Sequence, residues 1–147
     1  MSETMAGGCA CGRVRFEADI SDDDAYLCHC RMCQRASGSI SLAMKNIPQA
    51  DVRWSGEPDW YDSSEIAGRP FCGNCGTSLG FQYKDSDQMD LAIAAFDDPS
   101  RFVPNCNFGI ESLNPAFADC TRLPGKRTGE SSTITDRWIK ATGAFPG

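Results

Sequence analysis

Histidine is nearly missing from this chain: His29 is the only one in 147 residues. A Cys/His zinc finger needs a recognition helix and a pair of histidines, which one imidazole cannot supply. Long apolar runs are missing as well. The longest, Leu91 to Phe96, has six residues, whereas a membrane-spanning helix requires ~20, so no membrane association is expected. Basic residues are in deficit, 14 against 20 acidic ones, for a formal net charge of -6. A chain of that sign is repelled by phosphate backbones, so nucleic acid is not an expected partner. Met1-Ser2-Glu3-Thr4 has neither the basic nor the apolar region of a secretory signal, which predicts a cytoplasmic, reducing setting.

Cysteine is in excess, with 9 residues. An odd number of cysteines in tight Cys-x-Cys and Cys-x-x-Cys pairs reads as metal ligation rather than disulfide bonding in a reducing compartment. Seven of them fall into three groups: Cys9 and Cys11; Cys28, Cys30 and Cys33; Cys72 and Cys75. Thiols so close together cannot all ionise unless a cation sits among them, and zinc deprotonates coordinating thiols outright. Two pairs make one closed four-thiolate site, and the triplet makes an open three-thiolate site with a free coordination position, the mark of a catalytic zinc. Spacing alone also allows Cys72 and Cys75 to join the triplet; the even use of ligands favours the first partition. Cys106 and Cys120 stand alone and are expected as small buried hydrophobes.

The length predicts one domain, 1–147. Arg13 to Ala18 alternates polar and apolar residues, the period of a half-buried strand with Val14, Phe16 and Ala18 inward. Asp19 to Asp24 reads as a solvated loop, and Tyr26 to Cys28 as a short strand. Arg31 to Ser37 suits a short helix ending at Gly38. Further strands are predicted over Ser39 to Met44, Val52 to Trp54, Trp60 to Ile66, Leu79 to Tyr83 and Asp90 to Ala94, with Trp54, Trp60 and Tyr61 in the core. Beyond Arg101, prolines, asparagines and glycine break any period, and 126–147 is polar and expected to be partly mobile. The expected class is mainly β with very little helix.

Three motifs together resemble a known family. They are Gly8-Cys9-Ala10-Cys11-Gly12-Arg13-Val14-Arg15-Phe16, Cys28-His29-Cys30-Arg31-Met32-Cys33-Gln34-Arg35-Ala36-Ser37-Gly38 and Phe71-Cys72-Gly73-Asn74-Cys75-Gly76-Thr77-Ser78-Leu79. In order, spacing and flanking glycines, residues 7–96 are similar to the glutathione-dependent formaldehyde-activating enzymes, also called the centromere-protein-V-like family. The resemblance implies a β-tent of layered antiparallel sheets. It also implies a structural zinc on Cys9, Cys11, Cys72 and Cys75 and a second, catalytic zinc on Cys28, Cys30 and Cys33. The activity it implies is carbon–sulfur lyase chemistry, typified by joining glutathione and formaldehyde into S-hydroxymethylglutathione. Where the family commonly has a His-Ile-aromatic segment, then Lys and Trp, this chain has Asn107-Phe108-Gly109-Ile110 and, later, Leu113 and Phe117, which implies a remodelled substrate pocket.

A zinc on three thiolates is expected to accept a small thiol as its fourth ligand and lower that thiol's pKa, generating a nucleophile for an aldehyde. Arg31 and Arg35 stand one turn apart on the expected helix and, with Gln34, are candidate contacts for the carboxylates of a glutathione-like thiol. His29, between two ligand cysteines, is expected to point away from the metal. The competing expectation is a zinc-stabilised binding module without turnover, its second metal site vestigial.

Overall fold

The computed structural model describes residues 2–147 as a mainly β protein with two sheets and two α-helices. In chain order the strands are β1 (Glu3–Gly8), β2 (Arg15–Ile20), β3 (Asp24–Cys28), β4 (Leu42–Pro48), β5 (Val52–Ser55), β6 (Asp59–Asp62), β7 (Ala67–Phe71), β8 (Gly80–Tyr83), β9 (Gln88–Ala92) and β10 (Val103–Phe108). The helices are α1 (Arg31–Ser37) and α2 (Ser132–Thr142). The chain divides into two compact units, the first ending at Asn114 and the second running Pro115–Gly147.

In the first unit, β1, β2 and β5 form a three-stranded antiparallel sheet, and the other seven strands form a second sheet in the order β10-β3-β4-β9-β8-β7-β6. Every pairing is antiparallel except that of β10 with β3. The alternation read from Arg13 to Ala18 buries Val14, Phe16 and Ala18 as expected. The strand runs on to Ile20, shrinking the expected acidic loop to residues 21–23. Phe16 is the pivot of the core, meeting Trp54 edge-on at 5.6 Å between ring centroids and Phe96 at 5.1 Å.

Three strands were not legible in the residue pattern, β1, β10 and the β7 strand Ala67–Phe71, which lies between the expected strands Trp60 to Ile66 and Leu79 to Tyr83. β1 pairs along its whole length with β2, from Glu3↔Ile20 to Gly8↔Arg15, although its glycines suggest only a turn. β10 contains Pro104 and lies at the edge of its sheet, where a missing N–H costs no ladder hydrogen bond. The same edge position explains why Cys106 is exposed rather than buried. Cys120, in the second unit, is exposed too. Trp60 and Tyr61, expected in the core, lie on the opposite edge strand β6 and are 46% and 63% exposed. Of that aromatic group, Trp54 alone packs against the core.

Helix α1 begins at Cys30 and ends at Gly38, whose backbone is left-handed, with its N–H donated to the Gln34 carbonyl at 2.8 Å. The second unit holds short 3-10 turns and the 11-residue α2, more helix than its polar composition predicts. Truncating the pivot of the core tests the packing of the first unit. Phe16→Ala should lower stability by about 3–5 kcal/mol, seen as a shift of the denaturant midpoint in the metal-loaded protein.

Candidate metal centres

The turn between β1 and β2 carries Cys9 and Cys11, and the turn between β7 and β8 carries Cys72 and Cys75. Each turn closes on itself by backbone hydrogen bonds, Cys9 N–H to the Val14 carbonyl at 2.9 Å and Gly76 N–H to the Cys72 carbonyl at 2.7 Å. Gly12 and Gly76 adopt φ near +81°, a conformation glycine enters without a Cβ penalty. The turns are tied together where Ala10 N–H donates to Thr77 Oγ1 at 3.0 Å. All four sulfurs then lie within 4.8 Å of one another.

Polar groups converge on these sulfurs. Val14 N–H donates to Cys9 Sγ at 3.2 Å, Asn74 Nδ2 to Cys11 Sγ at 3.2 Å, and Arg13 Nε to Cys72 Sγ at 3.4 Å. The Thr77 hydroxyl, 3.1 Å from Cys75 Sγ, holds that thiol down to about 5. Arg13 in turn pairs with Asp59, which accepts the Gly73 N–H at 2.7 Å. Donors aimed at sulfur favour thiolate over thiol.

The second cluster forms where β3 runs into α1. Cys28 closes the strand, Cys30 caps the helix and Cys33 lies one turn inside it, bringing three sulfurs within 4.8 Å. Cys33 N–H donates to Cys30 Sγ at 3.4 Å. Burial pushes the Cys28 thiol up to about 12, so three thiolates here require a compensating cation. Gly109, at φ +64°, passes so close that an added Cβ would meet the Cys30 nitrogen at 2.6 Å. The β10 end of the chain therefore backs directly onto the cluster.

Both clusters fit a zinc ion. Four sulfurs about 2.3 Å from one tetrahedral ion stand ~3.8 Å apart, and the observed separations are 3.6 Å for Cys9–Cys11, 3.8 Å for Cys11–Cys72 and 3.4 Å for Cys28–Cys30. The all-thiol donor set suits the same metal.

The three-thiol cluster borders a cavity of about 460 Å³ lined by Tyr26, Met44, Asn46, Ile66, Phe81, Asp90 and Phe108, among others. Arg69, only 5% exposed, also lines it. Its Nη2 donates to Cys33 Sγ at 3.4 Å, and its guanidinium sits 4.9 Å over the Phe81 ring. Its Nε and Nη1 are buried without a partner among the described residues. Burial raises the Asp90 carboxyl above the usual carboxylate range, against hydrogen bonds from Asn46 and Tyr26.

The helix residues singled out from the sequence lie elsewhere. Arg31 donates to Gln34 Oε1 at 2.6 Å, and the buried Gln34 donates to the carbonyls of His29 and Ser112 at 2.8 and 3.2 Å. Gln34 thus ties α1 to the backbone after β10. Arg31, Gln34 and Arg35 line a surface depression with Ser39 and Ile40, and Arg35 also lines another with Met32 and Arg69, two residues that border the cavity beside the thiols. His29 is buried and shares a hydrogen bond of 2.9 Å with Asn107 Oδ1. Arg69 and Asp90 escaped sequence reasoning. The available signal was a charged residue inside an otherwise buried strand, Arg69 within Ala67–Phe71 and Asp90 within Gln88–Ala92.

The fold and its two thiol clusters define a mainly β class of protein with two groups of cysteines that could each hold a metal ion. Comparison with known proteins narrows this, because the glutathione-dependent formaldehyde-activating enzyme family matches residues 4–112, and the chain belongs to that family. It is 34% identical over 77 residues to an uncharacterized lyase of Schizosaccharomyces pombe, an alignment covering 52% of this chain and 56% of that protein. The chain thus matches about half the length of this curated relative. A crystal structure of a Rhodobacter sphaeroides protein shares the fold, with a TM-score of 0.56 and 23% identity over 68% of this chain and 98% of that one. Among the described residues, no helix is long and apolar enough to cross a membrane.

Chelation distinguishes the two clusters. Zinc-loaded protein is expected to carry about two ions per chain and to fall to about one under a mild chelator with its β-sheet circular dichroism intact, whereas Cys72→Ser should unfold the first unit. Loss of the sheet signal together with the first ion released would contradict this assignment.

Proposed function

We propose that this protein is a zinc-dependent carbon–sulfur lyase that joins or releases a small thiol and an aldehyde at Cys28, Cys30 and Cys33. The observation that carries the proposal is that these three thiols border a cavity large enough for a substrate. Cys9, Cys11, Cys72 and Cys75 form a complete four-thiol set, which supports a structural role for that cluster. Family membership supports glutathione-like thiols and aldehydes as the substrate class, and the name of the yeast relative supports lyase chemistry.

When bound to Cys28, Cys30 and Cys33, zinc supplies a site for a fourth, substrate thiolate and lowers the pKa of that thiol. The chain's own residues make the setting. Cys30 is fixed at the start of α1 by the N–H of Cys33, and Gly109 packs against its backbone. The Arg69 guanidinium beside Cys33 balances the negative charge that gathers as sulfurs ionise. The mostly apolar walls offer few groups to hold water beside the thiols. Gln34 holds α1 in register with the chain after β10, a positioning role.

Cys30→Ser should keep the β-sheet circular dichroism and lower the rate of thiol–aldehyde adduct formation by on the order of a hundredfold. Unchanged turnover of every thiol and aldehyde pair tried, with the fold intact, would overturn the mechanism.

A further inference from the structure

The cavity beside the three thiols is poorly matched to a one-carbon aldehyde. Its volume is about 460 Å³, whereas a molecule near the size of water takes ~30 Å³. Its wall is mostly apolar, with Met44, Ile66, Phe81, Tyr83 and Phe108 contributing side chains. A peptide thiol placed inside would bring carboxylates, an ammonium and peptide groups. Few of these would find partners there, and burying unpartnered polar groups is costly.

One cationic side chain lines this cavity. Arg69 has two buried donors, Nε and Nη1, with no acceptor, while its third nitrogen lies 3.4 Å from Cys33 Sγ. Leaving two guanidinium donors unpaired in the interior is an unusual arrangement, and since Nε and Nη1 lie on different edges of the guanidinium, one oxygen atom brought by a ligand would take one of them. The nearness of Cys33 puts that oxygen beside the sulfur end of the cavity, where an adjacent carbonyl carbon meets an incoming thiolate.

Building on the thiol–aldehyde reading above, we propose that the aldehyde carries an aromatic or branched apolar body lodged in this cavity, and that Arg69 holds its carbonyl oxygen. As the sulfur–carbon bond forms, the carbonyl π pair moves onto oxygen, where an Arg69 N–H and the guanidinium charge stabilise the developing charge. The proton given up by the thiol ends on that oxygen, yielding a hydroxy-thioether with no oxidant or reductant involved. Release runs the same steps backwards. Asn46, Tyr26, Asp90, Ser64 and the Tyr83 hydroxyl are the other polar groups of the lining residues.

The test pairs binding with turnover in the zinc-loaded full chain. Calorimetric titration with two unreactive carbonyl probes should show benzamide binding at least about tenfold more tightly than acetamide, because only benzamide buries a ring. Ile66 is 65% exposed at the cavity wall, so Ile66→Glu should leave the fold intact and abolish that preference. With mercaptoethanol as the common thiol, Arg69→Gln should lower kcat for benzaldehyde by on the order of a hundredfold with a smaller change in KM, and Arg69→Lys should recover part of it.

Equal affinity for benzamide and acetamide would overturn the proposal while leaving the lyase reading standing if adducts still form. An unchanged kcat in folded Arg69→Gln would overturn the role of Arg69. Should that variant fail to fold, the probe preference and Ile66→Glu still decide the cavity's occupant, and Arg69→Lys decides the arginine. Tight benzamide binding with no turnover of any pair would sink the lyase reading, and the catalytic part of this proposal with it.

Discussion

Four sulfurs drawn from two turns about 60 residues apart meet within 4.8 Å, a juxtaposition that repels as the thiols ionise and that a cation converts into a crosslink. Much of the first unit hangs on it. The Cys9–Cys11 turn belongs to the three-stranded sheet and the Cys72–Cys75 turn to the seven-stranded one, so a single ion there would fasten sheet to sheet. Hydrogen bonds from Val14, Asn74, Arg13 and Thr77 aim positive dipoles at the sulfurs and fix their orientation. The hydrophobic core around Phe16 backs the same junction, since Val14 and Cys9 are part of it. A metal ion held by the four thiols would reinforce the apolar core at the junction of the two sheets.

The second cluster is built on different terms. Its three cysteines come from one strand end and the helix that follows, so local chain geometry brings them together with no distant partner. Distant segments supply the surroundings instead. The chain after β10 packs on Cys30 through Gly109, β7 delivers Arg69, and β9 delivers Asp90. The pair formed by His29 and Asn107 shows how the departure from the family pattern at Asn107 is accommodated, as the amide oxygen gives the buried imidazole a partner. The cluster thus keeps its three thiols in a short motif, while the residues that line the cavity beside it come from strands scattered along the sheet.

The sequence by itself determined the class of the chain and its thiol chemistry. Cysteine spacing is local information, and a Cys-x-x-Cys-Gly turn closes in one way whatever surrounds it, so Cys28, Cys30 and Cys33 were legible as a unit, and the pairs Cys9/Cys11 and Cys72/Cys75 as half-sites. Period-two alternation likewise disclosed β2, and the Gly38 stop disclosed the end of α1. Only the tertiary structure decided which residues face the thiols. Arg31 and Arg35 look suitable in the motif; the fold places both along a neighbouring depression, and Arg35 also along one shared with Met32 and Arg69. Arg69 and Asp90 carry only the weak local signal of a charge within a buried strand and reach the cavity through the pairing of β7 and β9 with β8. Edge positions misled in the same manner: Trp60, Tyr61 and Cys106 have the composition of a core but lie on strands paired along one side. Burial depends on what packs against a strand, and that is a property of the assembled sheets rather than of any short stretch of chain.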